Sequence, residues 1–124
     1  MQRLVLSLGL VALALVSAAC SSGSASPTPP ASIPADAIVV TAKDLAFQPT
    51  EVAAPADTAF TLVLDNQEDV PHNIAIKDAT GAVVFKGEII NKGQEVNEIP
   101  ALAAGSYPFL CEVHPNMTGT ITAS

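Results

Sequence analysis

Apolar and polar residues alternate in short runs along the chain after Asp36, which is the pattern of half-buried β-strands. The clearest run is TAFTLVL, in which Phe60, Leu62 and Leu64 fall on one face. Comparable runs, separated by turn-forming residues, are predicted to be strands at residues 37–41, 73–77, 82–85, 88–90, 95–99, 106–111 and 118–122. No run has the length and period of a long helix. The pattern therefore predicts an all-β domain, an antiparallel sandwich or barrel.

The N-terminal region follows a different pattern and is not expected to join the sheets. A short basic segment, Met1–Arg3, precedes the apolar segment Leu4–Ala19, as in a secretory signal peptide; an uncleaved membrane anchor is the alternative. The next residues, SSGSASPTPPASIP, carry no charge and cannot bury a core. We therefore predict a signal peptide at residues 1–19, a tether at residues 20–35 and a folded domain at residues 36–124.

The charge balance narrows the class of partner. The chain has 124 residues, enough for one domain, with 12 acidic and 5 basic side chains and a formal net charge of −7. This charge argues against nucleic acid as a partner and against electrostatic adhesion to anionic lipid. It is compatible with steering toward a basic partner, and equally with a simple role in solubility.

The residues that carry chemistry are concentrated near the C-terminus. In YPFLCEVHPNM, Cys111, His114 and Met117 place a thiolate, an imidazole and a thioether within seven positions. The only other histidine, His72, falls on the inward face of its predicted strand, as Cys111 does in its own. Two imidazoles, one thiolate and a weak axial thioether are the ligand set of a blue-copper electron-transfer site. The sequence therefore predicts one mononuclear copper site.

Each of these side chains also has an ordinary structural interpretation. A single histidine is more often structural than a ligand, and a buried Cys or Met is usually core packing. The combination favours a metal, because Cys20 lies at the predicted processing site and leaves Cys111 without a disulfide partner. A lone exported thiol is protected by metal ligation. The sequence offers no Ser–His–Asp arrangement and no Gly-rich phosphate loop, so we do not expect an enzyme.

Several short motifs accompany the candidate ligands. They are FQP at 47–49, LDN at 64–66 before PHN at 71–73, GSY at 105–107 and FLCEVHPNMTG at 109–119. Through them the chain, from about Ile38 to Thr122, resembles the cupredoxins, the plastocyanin- and amicyanin-like type 1 blue copper proteins. The resemblance implies a Greek-key β-sandwich or barrel and one type 1 copper ion. The ligands that it implies are His72, Cys111, His114 and Met117.

The resemblance also implies roles around the ligands. Asn73 is expected to hydrogen-bond to the ligand loop and to tie the two ligand segments together. His114 is expected to be the more exposed ligand, through which electrons pass. Many relatives have Ser or Thr directly after the Cys, where this chain has Glu112. We therefore expect a backbone group to serve as the partner of Asn73. Independently of the resemblance, Leu45, Phe47 and the loop around Pro115 are expected to give the site apolar cover.

The function that follows is single-electron transfer by Cu(II)/Cu(I) cycling between a donor and an acceptor protein outside the cytoplasm. The alternative is a copper-binding module for storage or delivery. Small residues before Cys20 resemble the lipobox of bacterial lipoproteins, which implies a lipidated Cys20 and attachment to a membrane in the periplasm or at the cell surface. Ordinary cleavage near Ala19, with release of a free domain, is the other possibility. We expect a monomer.

Overall fold

The alternating runs form nine β-strands in a computed structural model that describes residues 32–124. The predicted signal peptide, the tether up to residue 31 and Cys20 lie outside the described residues. The strands are β1 (Ile38–Lys43), β2 (Ala46–Gln48), β3 (Glu51–Ala54), β4 (Phe60–Asn66), β5 (Ala75–Lys77), β6 (Val83–Lys86), β7 (Gly93–Ile99), β8 (Gly105–Leu110) and β9 (Thr118–Ala123). Between residues 32 and 124 no helix is long and apolar enough to cross a membrane.

The strands form two sheets, one with the order β2-β1-β4-β7 and the other with the order β3-β9-β8-β5-β6. Most neighbours are antiparallel, but β1 pairs with β4 and β3 pairs with β9 in parallel. The expectation of a purely antiparallel fold is therefore wrong at these two pairs. The cause is the path of the chain: after β2 it leaves the first sheet, adds β3 to the second and returns as β4. Parallel neighbours require such a long connection.

The segment at residues 88–90 was predicted to be a strand and is not one. After β6, Gly87 N–H donates to Ile74 O at 2.9 Å. The next amide, Glu88 N–H, donates to the side-chain carboxylate of Glu95 at 2.6 Å. Ile90 then forms an isolated antiparallel bridge with His72. Regular pairing is interrupted because Glu88 N–H bonds to a side chain and not to a neighbouring strand, a choice that apolar periodicity does not encode.

The core fills the space between the inner faces of the two sheets. Phe47 and Phe109 meet there with ring centroids 5.3 Å apart and planes inclined by 53°. The other large buried side chains come from both sheets: Val40, Leu62, Leu64, Ile74, Ile76, Ile99 and Ile121. This alternation matches the apolar pattern of the sequence and confirms the all-β sandwich.

The two poles of the sandwich carry different parts of the chain. β1 starts next to the tether and ends beside the loop after β4, where Gln67 N–H donates to Ala42 O at 3.0 Å. In the second sheet β8 runs from Gly105, paired with Ala123, to Leu110, directly before Cys111. Since β4 leads to His72 and β8 leads to Cys111, the candidate ligands gather at one pole. The described end of the tether lies at the other.

Gly119 allows the core to close near the ligand loop. It pairs with Phe109 across β8 and β9, and a Cβ added to Gly119 would overlap the Phe109 ring. We expect Gly119→Ala to lower the free energy of unfolding by about 1–3 kcal/mol, because the ring must leave its place in the core. Urea denaturation of the metal-free protein measures this. Thr118→Ala at the exposed neighbouring position is the control, and equal stability of the two variants would contradict the packing argument.

Candidate metal centre

Backbone hydrogen bonds to Ile90 fix the position of His72. It lies outside the strands, but its N–H donates to Ile90 O at 3.0 Å and its carbonyl accepts from Ile90 N–H at 2.9 Å. Asn66, at the end of β4, adds a bond from Nδ2 to the same Ile90 carbonyl at 3.0 Å. The His72 side chain is fully buried. His72 is therefore held rigidly at the pole of the sandwich where the candidate ligands gather.

The second group of candidate ligands comes from the loop between β8 and β9. Cys111 N–H donates to Met117 O at 3.0 Å, and Met117 N–H donates to His114 O at 2.9 Å. These two bonds close the seven residues of the loop on themselves, so all three candidate ligands of the loop share one compact turn. Cys111 and Met117 are buried and belong to the same apolar cluster.

Three donor atoms converge between these segments. Cys111 Sγ lies 3.8 Å from His72 Nδ1 and 3.8 Å from His114 Nδ1. All three atoms lie within 4.8 Å of one another, and the two imidazole centroids are 4.9 Å apart. A metal with bonds of about 2.3 Å to sulfur and about 2.0 Å to nitrogen, with ligands about 120° apart, requires sulfur–nitrogen separations of about 3.7 Å. Both sulfur–nitrogen separations therefore fit a single ion held between the three donors.

The outer nitrogen of His72 has its own partner. His72 Nε2 lies 3.0 Å from Glu68 Oε2, and the same carboxylate oxygen accepts from Leu45 N–H at 3.2 Å. Partial burial raises the pKa of Glu68, but the hydrogen bonds from Leu45 and His72 outweigh it and hold that pKa below the ordinary value. An ionised Glu68 accepts a hydrogen bond from Nε2–H, so the proton of the neutral ring stays on Nε2 and the lone pair of Nδ1 is free to face Cys111.

The two histidines differ in their access to solvent. His72 is fully buried, whereas His114 is only partly buried and its neighbour Val113 is 38% exposed. Leu45, which was expected to cover the site, is instead 53% exposed, because residues 44 and 45 turn outward with positive φ. Phe47, expected beside it, is buried against Phe109 in the core.

Asn73 joins the two ligand segments, as the sequence resemblance implied, and does so through more partners than expected. Its Oδ1 accepts from Glu112 N–H at 2.9 Å, the backbone partner that was expected. Its Nδ2 also donates to the Glu112 carboxylate at 2.9 Å and to Gly87 O at 3.3 Å. The expected backbone partner is therefore present, and the Glu112 side chain adds a second bond because it folds back onto the fully buried Asn73 amide.

Sequence reasoning missed Glu68 and Lys86, whose side chains contact the site residues directly or through Glu112. Lys86 Nζ lies 2.9 Å from Glu112 Oε2. Glu68 precedes His72 by four positions, a spacing that brings two side chains together when the intervening loop folds as one turn. No comparable sequence spacing pointed to Lys86. It lies near Glu112 only because β5 pairs with β6 on one side and with β8 on the other.

Comparison with known proteins agrees with this geometry. The family model described as a cupredoxin-like domain matches residues 9–123. Amicyanin of Paracoccus versutus is 36% identical over 96 residues, which cover 77% of this chain and 70% of that protein. Methylamine utilization protein MauL of Methylophilus methylotrophus is 34% identical over 109 residues, covering 86% of this chain and 60% of that protein.

Solved structures show the same fold. The crystal structure of amicyanin from Paracoccus versutus superposes with a TM-score of 0.61 at 34% identity, covering 74% of this chain and 85% of that one. Auracyanin from Roseiflexus castenholzii has a TM-score of 0.61 at 22% identity, covering 71% of this chain and 96% of that one. At this lower identity the auracyanin match supports the fold alone.

The Glu68–His72 contact predicts a dependence of metal affinity on residue 68. We expect Glu68→Ala to weaken copper binding by about 10- to 100-fold, because the ring loses the acceptor that sets its orientation and tautomer. Glu68→Gln keeps an acceptor oxygen and is expected to retain most of the affinity. Competition titration with a copper chelator measures both variants. Equal affinities for Glu68→Ala and the unmodified protein would show that His72 needs no orienting partner.

Proposed function

This chain belongs to the cupredoxin family, and on that premise we propose that it is a mononuclear type 1 copper protein that carries single electrons and catalyses no reaction of its own. The observation that carries the proposal is the convergence of Cys111 Sγ with the Nδ1 atoms of His72 and His114, all within 4.8 Å. Amicyanin variants at 26% identity have been crystallised in Cu(I) and oxidised forms. These relatives support copper as the metal.

We assign four ligands to the ion. His72, Cys111 and His114 would hold the ion through their converging donor atoms, and the buried Met117 at the end of the same loop would add a weaker thioether ligand. Copper held by these residues would supply one-electron Cu(II)/Cu(I) chemistry for exchange with a partner. The chain holds the donors fixed through the Ile90 and Met117 backbone bonds, which limits rearrangement during the exchange.

Electrons enter and leave at the His114 side of the site. His114 is the only one of the four proposed ligands that is not buried. Exposed apolar side chains lie on three segments at this end of the domain: Leu45, whose N–H donates to the Glu68 that contacts His72; Ile89, next to the Ile90 that pairs with His72; and Val113 within the ligand loop. An apolar surface around a partly exposed ligand allows a redox partner to approach closely and excludes water at the contact.

Electron transfer explains the burial of the ligands better than copper delivery does. Cys111 and His72 are both fully buried, and Met117 is 1% exposed. Transfer of copper to an acceptor requires the acceptor's ligands to reach the ion, and here only the His114 side is accessible. Electron exchange requires no such access, because the ion stays in place. The ligands all come from one chain, so a monomer suffices.

The location of the domain is outside the cytoplasm, and the finer arrangement is part of the proposal. Residues 32–37 enter the sandwich at the pole opposite the ligands, where Asp36 and Ile38 lie beside Pro55 and Phe60. A tether lipidated at Cys20 would therefore hold the domain by its far pole. The proposed metal centre would face away from the membrane, toward redox partners in the same compartment.

The copper proposal predicts a colour. Cu(II) added to the purified metal-free protein should give an intense blue or green absorption, because charge transfer from a single thiolate to Cu(II) is strong in this geometry. Cys111→Ser removes the thiolate and should abolish the band. Val113→Ala, in the same loop, is the matched control and should keep it. A colourless Cu(II) complex of the unmodified protein would contradict the proposal.

The anchoring proposal is tested by fractionation of cells that express the full chain. The unmodified protein should sediment with membranes and carry a fatty-acid label, because acyl chains on Cys20 insert into the bilayer. Cys20→Ser should move it to the soluble extracytoplasmic fraction, and Ser21→Ala should have no effect. Release of the unmodified protein without label would contradict lipidation and leave the copper proposal intact.

A further inference from the structure

Glu112 occupies an unusual place for a carboxylate. It directly follows the thiolate ligand proposed for the metal, in a chain with a net charge of −7. Its carboxylate accepts from Asn73 Nδ2 at 2.9 Å and lies 2.9 Å from Lys86 Nζ, while its own N–H donates to Asn73 Oδ1 at 2.9 Å. A carboxylate that accepts from an amide and pairs with a lysine ammonium is favoured as the anion.

One of the few lysines of the domain lies at this carboxylate. Residues 32–124 contain four lysines against 12 acidic side chains, and Lys86 is the one that pairs with Glu112. Its position is set by the next residue, because Gly87 N–H donates to Ile74 O at 2.9 Å and Gly87 O accepts from Asn73 at 3.3 Å. The hydrogen bonds of its neighbour Gly87 thus place Lys86 beside the ligand loop.

We propose that Glu112 and Lys86 form a charge-compensated clamp on the proposed metal centre. Glu112 holds the ligand loop to Asn73 by two hydrogen bonds, and Lys86 cancels the negative charge that this carboxylate would otherwise place next to Cys111. Glu112 and Lys86 are positioning residues, since neither touches the metal. The charge part of the proposal rests on the copper function above, whereas the hydrogen-bond part does not.

The charge has a direct consequence for the redox equilibrium. The oxidised centre carries one more positive charge than the reduced centre, so a nearby uncompensated carboxylate stabilises the oxidised form and a nearby cation stabilises the reduced form. The side chains of Lys86 and Glu112 are 60% and 34% exposed, which screens the effect but does not remove it. Lys86 therefore keeps the reduced form accessible in a protein whose overall charge disfavours it.

Two single variants test whether the charges of Lys86 and Glu112 shift the redox equilibrium of the bound copper. Lys86→Met should shift the equilibrium with a redox mediator toward Cu(II) by about 3- to 10-fold, and Glu112→Gln should shift it toward Cu(I) by a similar factor. The double variant should fall close to the unmodified protein. Lys92→Met is the matched control: it removes the same charge, but Lys92 pairs with Asp69 at 3.8 Å, and within residues 32–124 no hydrogen bond or ion pair joins its side chain to the ligand loop. It should shift the equilibrium much less than Lys86→Met.

The metal-free protein gives a second readout. The side-chain amide protons of Asn73 should exchange with water about tenfold faster or more in Glu112→Ala than in the unmodified protein, because a charge-assisted hydrogen bond to a buried amide is lost. Glu112→Gln keeps an acceptor and should stay close to the unmodified rate. Nuclear magnetic resonance of the Asn73 amide measures this without copper.

The two readouts separate the possible failures. Shifts of Lys86→Met and Glu112→Gln in the same direction, or a Lys86→Met shift no larger than that of Lys92→Met, would overturn the charge compensation. Equal exchange in Glu112→Ala and Glu112→Gln would overturn the clamp. Failure of the copper function would appear differently, as an unmodified protein with no reversible one-electron reaction but with the same Asn73 exchange pattern.

Discussion

The paired hydrogen bonds between Asn73 and Glu112 are the constraint on which the rest of the site depends. They join two segments that are 39 residues apart, one carrying His72 and the other carrying Cys111, His114 and Met117. Asn73 is fully buried, and each of its amide atoms is bonded. An unpaired buried amide would cost about 1–3 kcal/mol, so the folded state strongly favours the arrangement that brings the ligand segments together.

The sandwich determines which pole receives the ligands. β4 and β8 lie in different sheets, yet both end at the same pole, and each is followed within a few residues by a candidate ligand. The Phe47–Phe109 contact and the close approach of Gly119 to Phe109 fill the core directly before Cys111. The aromatic packing beneath the loop and the hydrogen bonds between Asn73 and Glu112 leave the three donor atoms little freedom to move. This is the physical basis for a site that changes little between two oxidation states.

Much of this arrangement could be predicted from the sequence, because strand periodicity alone placed His72 and Cys111 on inward faces. The expected role of Asn73 followed from the resemblance to cupredoxins, and the structure places it between the two ligand segments. The parallel pairs β1–β4 and β3–β9 could not be predicted, since periodicity is the same in parallel and antiparallel strands. The partners Glu68 and Lys86 were missed for a related reason. Their contacts depend on loop conformation and strand order, and no local pattern encodes either.

The central claim is that the chain holds the metal donors in place before copper binds and through its redox cycle. Crystal structures of the metal-free, Cu(I) and Cu(II) forms test it most directly. The account predicts one copper ion bonded to His72, Cys111 and His114, with sulfur–nitrogen separations close to the 3.8 Å found here in all three forms. Copper bound elsewhere, or a ligand loop that rearranges when the metal enters or changes its oxidation state, would contradict it.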